Sequence, residues 1–164
     1  MTNQRIVQIT TVLLRVALAC AFLAAVADRL GFIGPYGSRN VSSGDWKHFE
    51  AYVAVLNWFI PKALIPALST LETAIETGLA LGLLFGIYPR IVAWSSAVLL
   101  GSFALTMTVA QGILAPLGYG VFTAISAALL LGAIAAPQEV TLANPAVDAK
   151  ARSPVSTQAG VSNP

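Results

Sequence analysis

The sequence is short of charge. Asp, Glu, Lys and Arg make up 10% of its 164 residues, while 57% are hydrophobic. A soluble domain carries about a quarter charged residues, so this chain lacks the groups that wet a globular surface. Between Arg90 and Glu139 there is no Lys, Arg, Asp, Glu or His at all. A stretch of that length holds two bilayer crossings of ~20 residues each. Cysteine and histidine are equally scarce, with Cys20 and His48 the single examples. An intramolecular disulfide and a CxxC redox pair are thereby excluded. So are bis-histidine haem ligation and a metal site of several His and Cys ligands. No Walker loop, dinucleotide fingerprint or Ser/His/Asp set is present, so no covalently or tightly bound cofactor is expected. The net charge of +2 comes from scattered basic residues without a basic stripe, which argues against nucleic acid as a partner.

What the chain does have is long apolar runs. They predict an all-α fold: an integral membrane four-helix bundle with an additional interfacial helix, over residues 1–137. The spans are expected at about 9–28, 63–87, 91–110 and 117–136. Val16 to Ala27 is an unbroken apolar run of signal-peptide length, and Ala25-Val26-Ala27 matches a small-residue cleavage site. Including Ile9 to Leu14 restores a full span, so a retained first helix is the expectation and a cleaved signal the alternative. Gly31, Gly34-Pro35 and Gly37 break helix, and Ser42 to Asp45 reads as a loop ending in an N-cap. Over 46–60, Phe49, Tyr52, Val53, Leu56 and Ile60 recur at helical spacing, with Trp46, Tyr52 and Trp58 suited to the membrane boundary. This segment is read as an amphipathic interfacial helix, with an ordinary loop helix as the alternative. Residues 138–164 are rich in Ala, Pro, Ser, Asn and Thr without periodicity and are expected to be a disordered tail.

Orientation is weakly encoded. Arg5, Arg90, Lys150 and Arg152 fall on one side and Arg29, Arg39, Lys47 and Lys62 on the other, which gives no positive-inside bias. An even number of spans puts both ends on the same side, taken here as the cytoplasmic one.

Small residues recur every fourth position. The ladders are Gly78, Gly82 and Gly86 in the second span, Ala93, Ala97 and Gly101 in the third, and Gly120, Ala124, Ala128 and Gly132 in the fourth. Such ladders allow close helix approach in lipid. They suit packing within the bundle or a homodimer face alike.

The second span also carries polar groups. Ser69, Glu72, Thr73 and Glu76 fall on one stripe, roughly opposite the glycines. Ionised side chains at a helix centre cost about 2.5–3.5 kcal/mol, so such residues face a protein interior or a cavity. Arg15 is the expected partner of Glu76. It lies roughly 9 Å into the first span and Glu76 roughly 16 Å in from the same surface, an offset an arginine can bridge. Glu72 is left without a cation of its own and is the candidate for proton exchange. Trp46, His48 and Tyr52 are placed at the entrance of the resulting pocket. Set beside this is the simpler reading, a buried Arg–Glu pair that only fixes which helix faces which.

The order of these features resembles the DoxX family of small bacterial and archaeal membrane proteins, which is related to the DoxD-type subunit of thiosulfate:quinone oxidoreductase. The matching pieces are Leu14-Arg15 leading a helix that closes in Ala27-Asp28-Arg29-Leu30, then Gly31 to Pro35, Gly44-Asp45-Trp46-Lys47-His48-Phe49 and Asn57 to Pro61. Glu76-Thr77-Gly78 through Gly86 and Tyr88-Pro89-Arg90 complete the set. The resemblance covers about residues 10–136. Arg15 and Glu76 fall where that family tends to place its intramembrane arginine and glutamate. The chain departs from it at Asp28, where a small or basic residue is usual, and at Glu72, which has no counterpart. The resemblance implies a protein of the bacterial or archaeal cytoplasmic membrane that serves a quinone-linked redox system, with a diffusible quinone and redox proteins as partners. Whether such a chain is itself an enzyme is left open. Proton-linked transport of a small solute and a structural scaffold for other membrane proteins are the alternatives.

Overall fold

The computed structural model describes residues 3–135. Those residues are mostly helical and contain no strand, and the expected tail over 138–164 lies outside them. Helix α1 runs Asn3–Arg29. It starts ahead of the expected boundary because the polar turn Asn3-Gln4-Arg5 simply continues the helix in the open. A loop then leads to α2, Trp46–Leu56, which Asp45 caps by accepting the backbone N–H of His48 at 2.9 Å. The interfacial helix expected to reach Ile60 stops earlier. The backbone and side-chain N–H groups of Asn57 both donate to the Val53 carbonyl, which closes the last turn at Leu56.

A 3-10 turn, Lys62–Leu64, feeds α3, Ile65–Phe85. Gly86 ends it with φ 69°, a left-handed conformation that a residue without Cβ adopts freely. Tyr88 is also left-handed, with φ 42°, and Pro89 opens α4, Pro89–Gln111. The fourth expected span, 117–136, is not continuous. Leu114–Gly118 forms a short helix α5, Gly120 turns left-handed with φ 67°, and only Val121–Ile134 forms α6. A glycine in that conformation breaks the helix that the uninterrupted hydropathy suggested.

Among the described residues, three helical segments are long and apolar enough to cross a membrane: Asn3–Arg29, Lys62–Phe85 and Pro89–Gln111. The 14 residues of α6 extend ~21 Å, less than the ~30 Å of a hydrocarbon core. Large apolar side chains such as Leu13, Leu71, Leu81, Val98, Leu105 and Val109 point outward along these helices. An outward apolar surface of this kind suits lipid.

The helices close into a ring in which α1 packs on α3, α3 on α4, α4 on α6 and α6 on α1. The half near the end of α3 is solid. Leu18, Ala19, Phe22, Leu83, Ala97 and Leu131 belong to its buried core. Contact there is tight: a Cβ on Gly82 would meet Val92 Cγ2 at 3.0 Å, and one on Gly132 would meet Trp94 Nε1 at 3.0 Å. Gly82 and Gly132 therefore lie where a neighbouring helix leaves no room for a side chain. Gly78, Gly101 and Gly120 do not, since a Cβ on any of them would meet open space. The other half of the ring is covered by α2, which packs on α1, α3 and α4.

Candidate functional site

Under α2 the structure is hollow. A cavity of ≈ 600 Å³ lies between the end of α1, the loop after it, α2, the first half of α3 and the second half of α4. Leu68, Leu71, Ile75, Leu99 and Phe103 contribute apolar wall, while Arg29, Glu72 and Glu76 bring charge.

The buried charge is arranged around Arg29, not Arg15. Arg29 is the last residue of α1, and its side chain folds back along its own helix until Nε reaches the Ala25 carbonyl at 3.2 Å. Helical side chains lean toward the N-terminus, so this is the direction in which an arginine extends with least strain. Because α3 runs antiparallel, the guanidinium arrives beside Thr73 and Glu76. Nη1 donates to Thr73 Oγ1 at 3.0 Å, and Nη2 lies 2.8 Å from Glu76 Oε2. The guanidinium carbon also sits 4.0 Å from the centre of the Phe49 ring, which brings α2 into the cluster. Glu76 is 2% exposed and Arg29 6%.

Asp28, next to Arg29, does a different job. Its carboxylate accepts the backbone N–H of Ser42 at 3.1 Å and of Ser43 at 2.7 Å, tying the loop back onto α1. The two adjacent charges that the sequence offered as a span boundary are thus both buried anchors. The usable signal was the stripe Ser69–Glu76 together with an arginine one turn beyond its level on the neighbouring helix.

Arg15 does not pair with Glu76. Its Nε donates to the Leu83 carbonyl at 2.8 Å and its Nη2 to the Leu84 carbonyl at 3.2 Å. These are among the last carbonyls of α3, which have no partner within their own helix, and the negative end of the helix dipole favours a cation there. Arg15 is therefore the cap of a neighbouring helix, packed against Gly86.

The expected entrance residues divide. Tyr52 lines the cavity, with its hydroxyl 3.5 Å from Gln111 Oε1, and burial pushes that hydroxyl above its usual range. Trp46 turns aside, its Nε1 donating to Glu50 Oε1 at 2.8 Å. His48 lies outside the cavity, stacked on Tyr36 at 3.9 Å between ring centres, with Nδ1 against the Asp45 carboxylate at 2.8 Å. It borders a separate recess of ≈ 220 Å³, shared with Ser42 and Tyr52. The backbone N–H of His48 holds the Asp45 carboxyl below its usual range.

Glu72 is half-buried in the cavity wall, one turn from Glu76. No hydrogen bond from the described residues reaches it.

No family model, no curated protein and no solved structure matches this chain. Its chemistry must be argued from the cavity.

The hydroxyls of α3 and α4 bear on that argument. Thr70, Thr73 and Thr77 each donate at 2.8 Å to the carbonyl one turn back, as Ser96 does in α4. Such back-bonding satisfies a hydroxyl inside an apolar helix packing without another partner. Among the α3 hydroxyls only Ser69 Oγ has no partner among the described residues, and with Glu76 paired to Arg29, Glu72 is the carboxylate of α3 left without a cation.

Proposed function

We propose that this chain is a membrane protein that holds a diffusible amphipathic molecule under α2, as the membrane subunit or accessory protein of a quinone-linked redox system. In this reading α1, α3, α4 and the α5–α6 pair form a four-helix bundle in the cytoplasmic membrane, both chain ends face inside, and α2 lies at the interface. The observation that carries it is the cavity: ≈ 600 Å³ of mainly apolar space with an unpartnered Glu72 in its wall. That volume falls within the range of small-molecule sites, which pair apolar walls with a few placed polar groups. The Arg29–Glu76 pair braces the floor, and Glu72 is the group free to bind a head or exchange a proton. The resemblance to DoxX-type proteins supplies the redox setting.

The test is native mass spectrometry of the full chain released from mild detergent. A co-purifying amphipathic small molecule is expected, and Ala25→Phe, which fills the cavity from α1, is expected to abolish it. A chain that carries nothing, or carries the same adduct after Ala25→Phe, would place binding elsewhere.

A further inference from the structure

The hydrogen-bond inventory around the two glutamates is lopsided. Arg29 directs Nε to Ala25, Nη1 to Thr73 and Nη2 to Glu76, and none of its nitrogens bonds to Glu72. The Ser102 hydroxyl donates to the Leu99 carbonyl at 2.7 Å, and the Thr106 hydroxyl to the Ser102 carbonyl at 3.1 Å. The Asn57 amide donates to the Val53 carbonyl. These wall residues direct a hydrogen back into the protein; Asn40, Ser42, Ser43 and Tyr119 also line the cavity, and none of them bonds to Glu72 or Glu76.

Acceptors are in the opposite state. Glu76 meets Arg29 through Oε2, and no donor among the described residues bonds to Oε1 or to either oxygen of Glu72. An ionised carboxylate only accepts, with room for about four hydrogen bonds. Formal charge leans the same way. The lining contains Asp28, Glu72 and Glu76 against Arg29, and the Ser42 and Ser43 N–H groups satisfy Asp28 alone. A buried carboxylate left without donors is costly and either takes up a proton or finds donors, so the occupant that complements its ionised form is one that brings them.

We propose that the occupant presents a hydrogen-bond-donating head, a protonated amine or a hydroquinone hydroxyl, to Glu72 and to Oε1 of Glu76. An acceptor-only head such as an oxidised quinone is then the poorer ligand. This rests on the reading that the cavity holds an amphipathic molecule and adds the chemistry of its head. The tail lies against Leu71, Ile75, Leu99 and Phe103, in the cavity that Tyr52 also lines.

The experiment is calorimetric titration of the full chain in lipid nanodiscs with three decyl compounds sharing one tail: decylammonium, a decyl hydroquinone kept reduced, and the matching decyl quinone. Ala25→Phe nanodiscs report partition into lipid alone. At least one donor head should bind about tenfold more tightly than the quinone, roughly 1.4 kcal/mol, and Glu72→Gln should shrink that gap to about twofold. Tight ammonium binding assigns the donor as a cation, tight hydroquinone binding assigns it as a phenol, and either upholds the proposal. A quinone that equals or exceeds both donors overturns it and leaves the cavity reading standing. Heat no greater than in the Ala25→Phe discs for all three compounds overturns both. Should Glu72→Gln fail to fold, the ranking of the three compounds on the unaltered chain still decides.

Discussion

Arg29 Nη2 stands 2.8 Å from Glu76 Oε2, and both side chains are almost fully withdrawn from the surface. The pair joins the last residue of α1 to the middle of α3, and Phe49 of α2 closes over it. Removing one member of a buried pair strands the other charge, at a cost of about 3–5 kcal/mol, whereas replacing both by apolar residues is often neutral. Arg29→Met and Glu76→Leu should each destabilise the protein by that amount in reversible unfolding from detergent. The double variant should recover most of the loss. Additive losses would mean that the two residues act independently.

The parts of this fold that could be read in advance are those the bilayer itself dictates. A span requires a long apolar run, so α1, α3 and α4 appear in the sequence as mainly apolar stretches ended by Asp28-Arg29, Pro89 and Gly112. The break at Gly120 was hidden because Leu117 to Ala136 is uncharged and mostly apolar, and hydropathy does not register a backbone turn. Glu72 and Glu76 announced a polar interior, and both do line the cavity. Depth taken at the Cα alone favours Arg15 as the partner of Glu76, because it leaves out the length of the side chain. An arginine side chain reaches a full turn back, which moves Arg29 onto Glu76 and Arg15 onto the end of α3.

Arg15 and Gly86 form a second unit that is structural. A Cβ on Gly86 would meet the Arg15 guanidinium as well as forcing a side chain into φ 69°. Gly86→Ala should cost about 1–2 kcal/mol, mostly from the left-handed backbone. Arg15→Ala should cost about 1–2 kcal/mol through the lost bonds to the Leu83 and Leu84 carbonyls. The two together should fall short of the sum, because the clash with the guanidinium vanishes when the arginine does. Neither should change ligand affinity at the distant cavity, measured by the same calorimetry; a large loss of binding in Arg15→Ala would return that residue to the site.

Glycines on one helix should respond in opposite ways. Gly82→Ala puts a methyl 3.0 Å from Val92 Cγ2, where α3 and α4 are pressed together, and overpacking of this kind costs about 1–3 kcal/mol. Gly78→Ala meets nothing and should be neutral or stabilising by about 0.5–1 kcal/mol, since alanine is the better helix former. Thermal unfolding in detergent separates the two. Gly78 is also the better position at which to examine a scaffold role. A Cβ at Gly78 meets open space, so Gly78→Leu should keep the fold, and a loss of co-purifying partners there would report an external contact.

The first turn of α2 should respond to acid through Asp45. Its carboxylate accepts the His48 backbone N–H, which is the largest reason that its pKa lies below the ordinary 3.8. A carboxyl with a lowered folded-state pKa stabilises fully above its unfolded value and loses that contribution as pH falls through the folded one. The cap should therefore be intact from neutrality down to about pH 4 and fade below it. Amide hydrogen exchange at His48 and Phe49, corrected for the intrinsic pH dependence of exchange, should show protection falling in that acid window. Asp45→Asn keeps an oxygen in the capping position but cannot titrate, so its protection should be nearly flat across the same range. Equal acid sensitivity in Asp45→Asn would show that another group, and not the cap, governs the opening of α2.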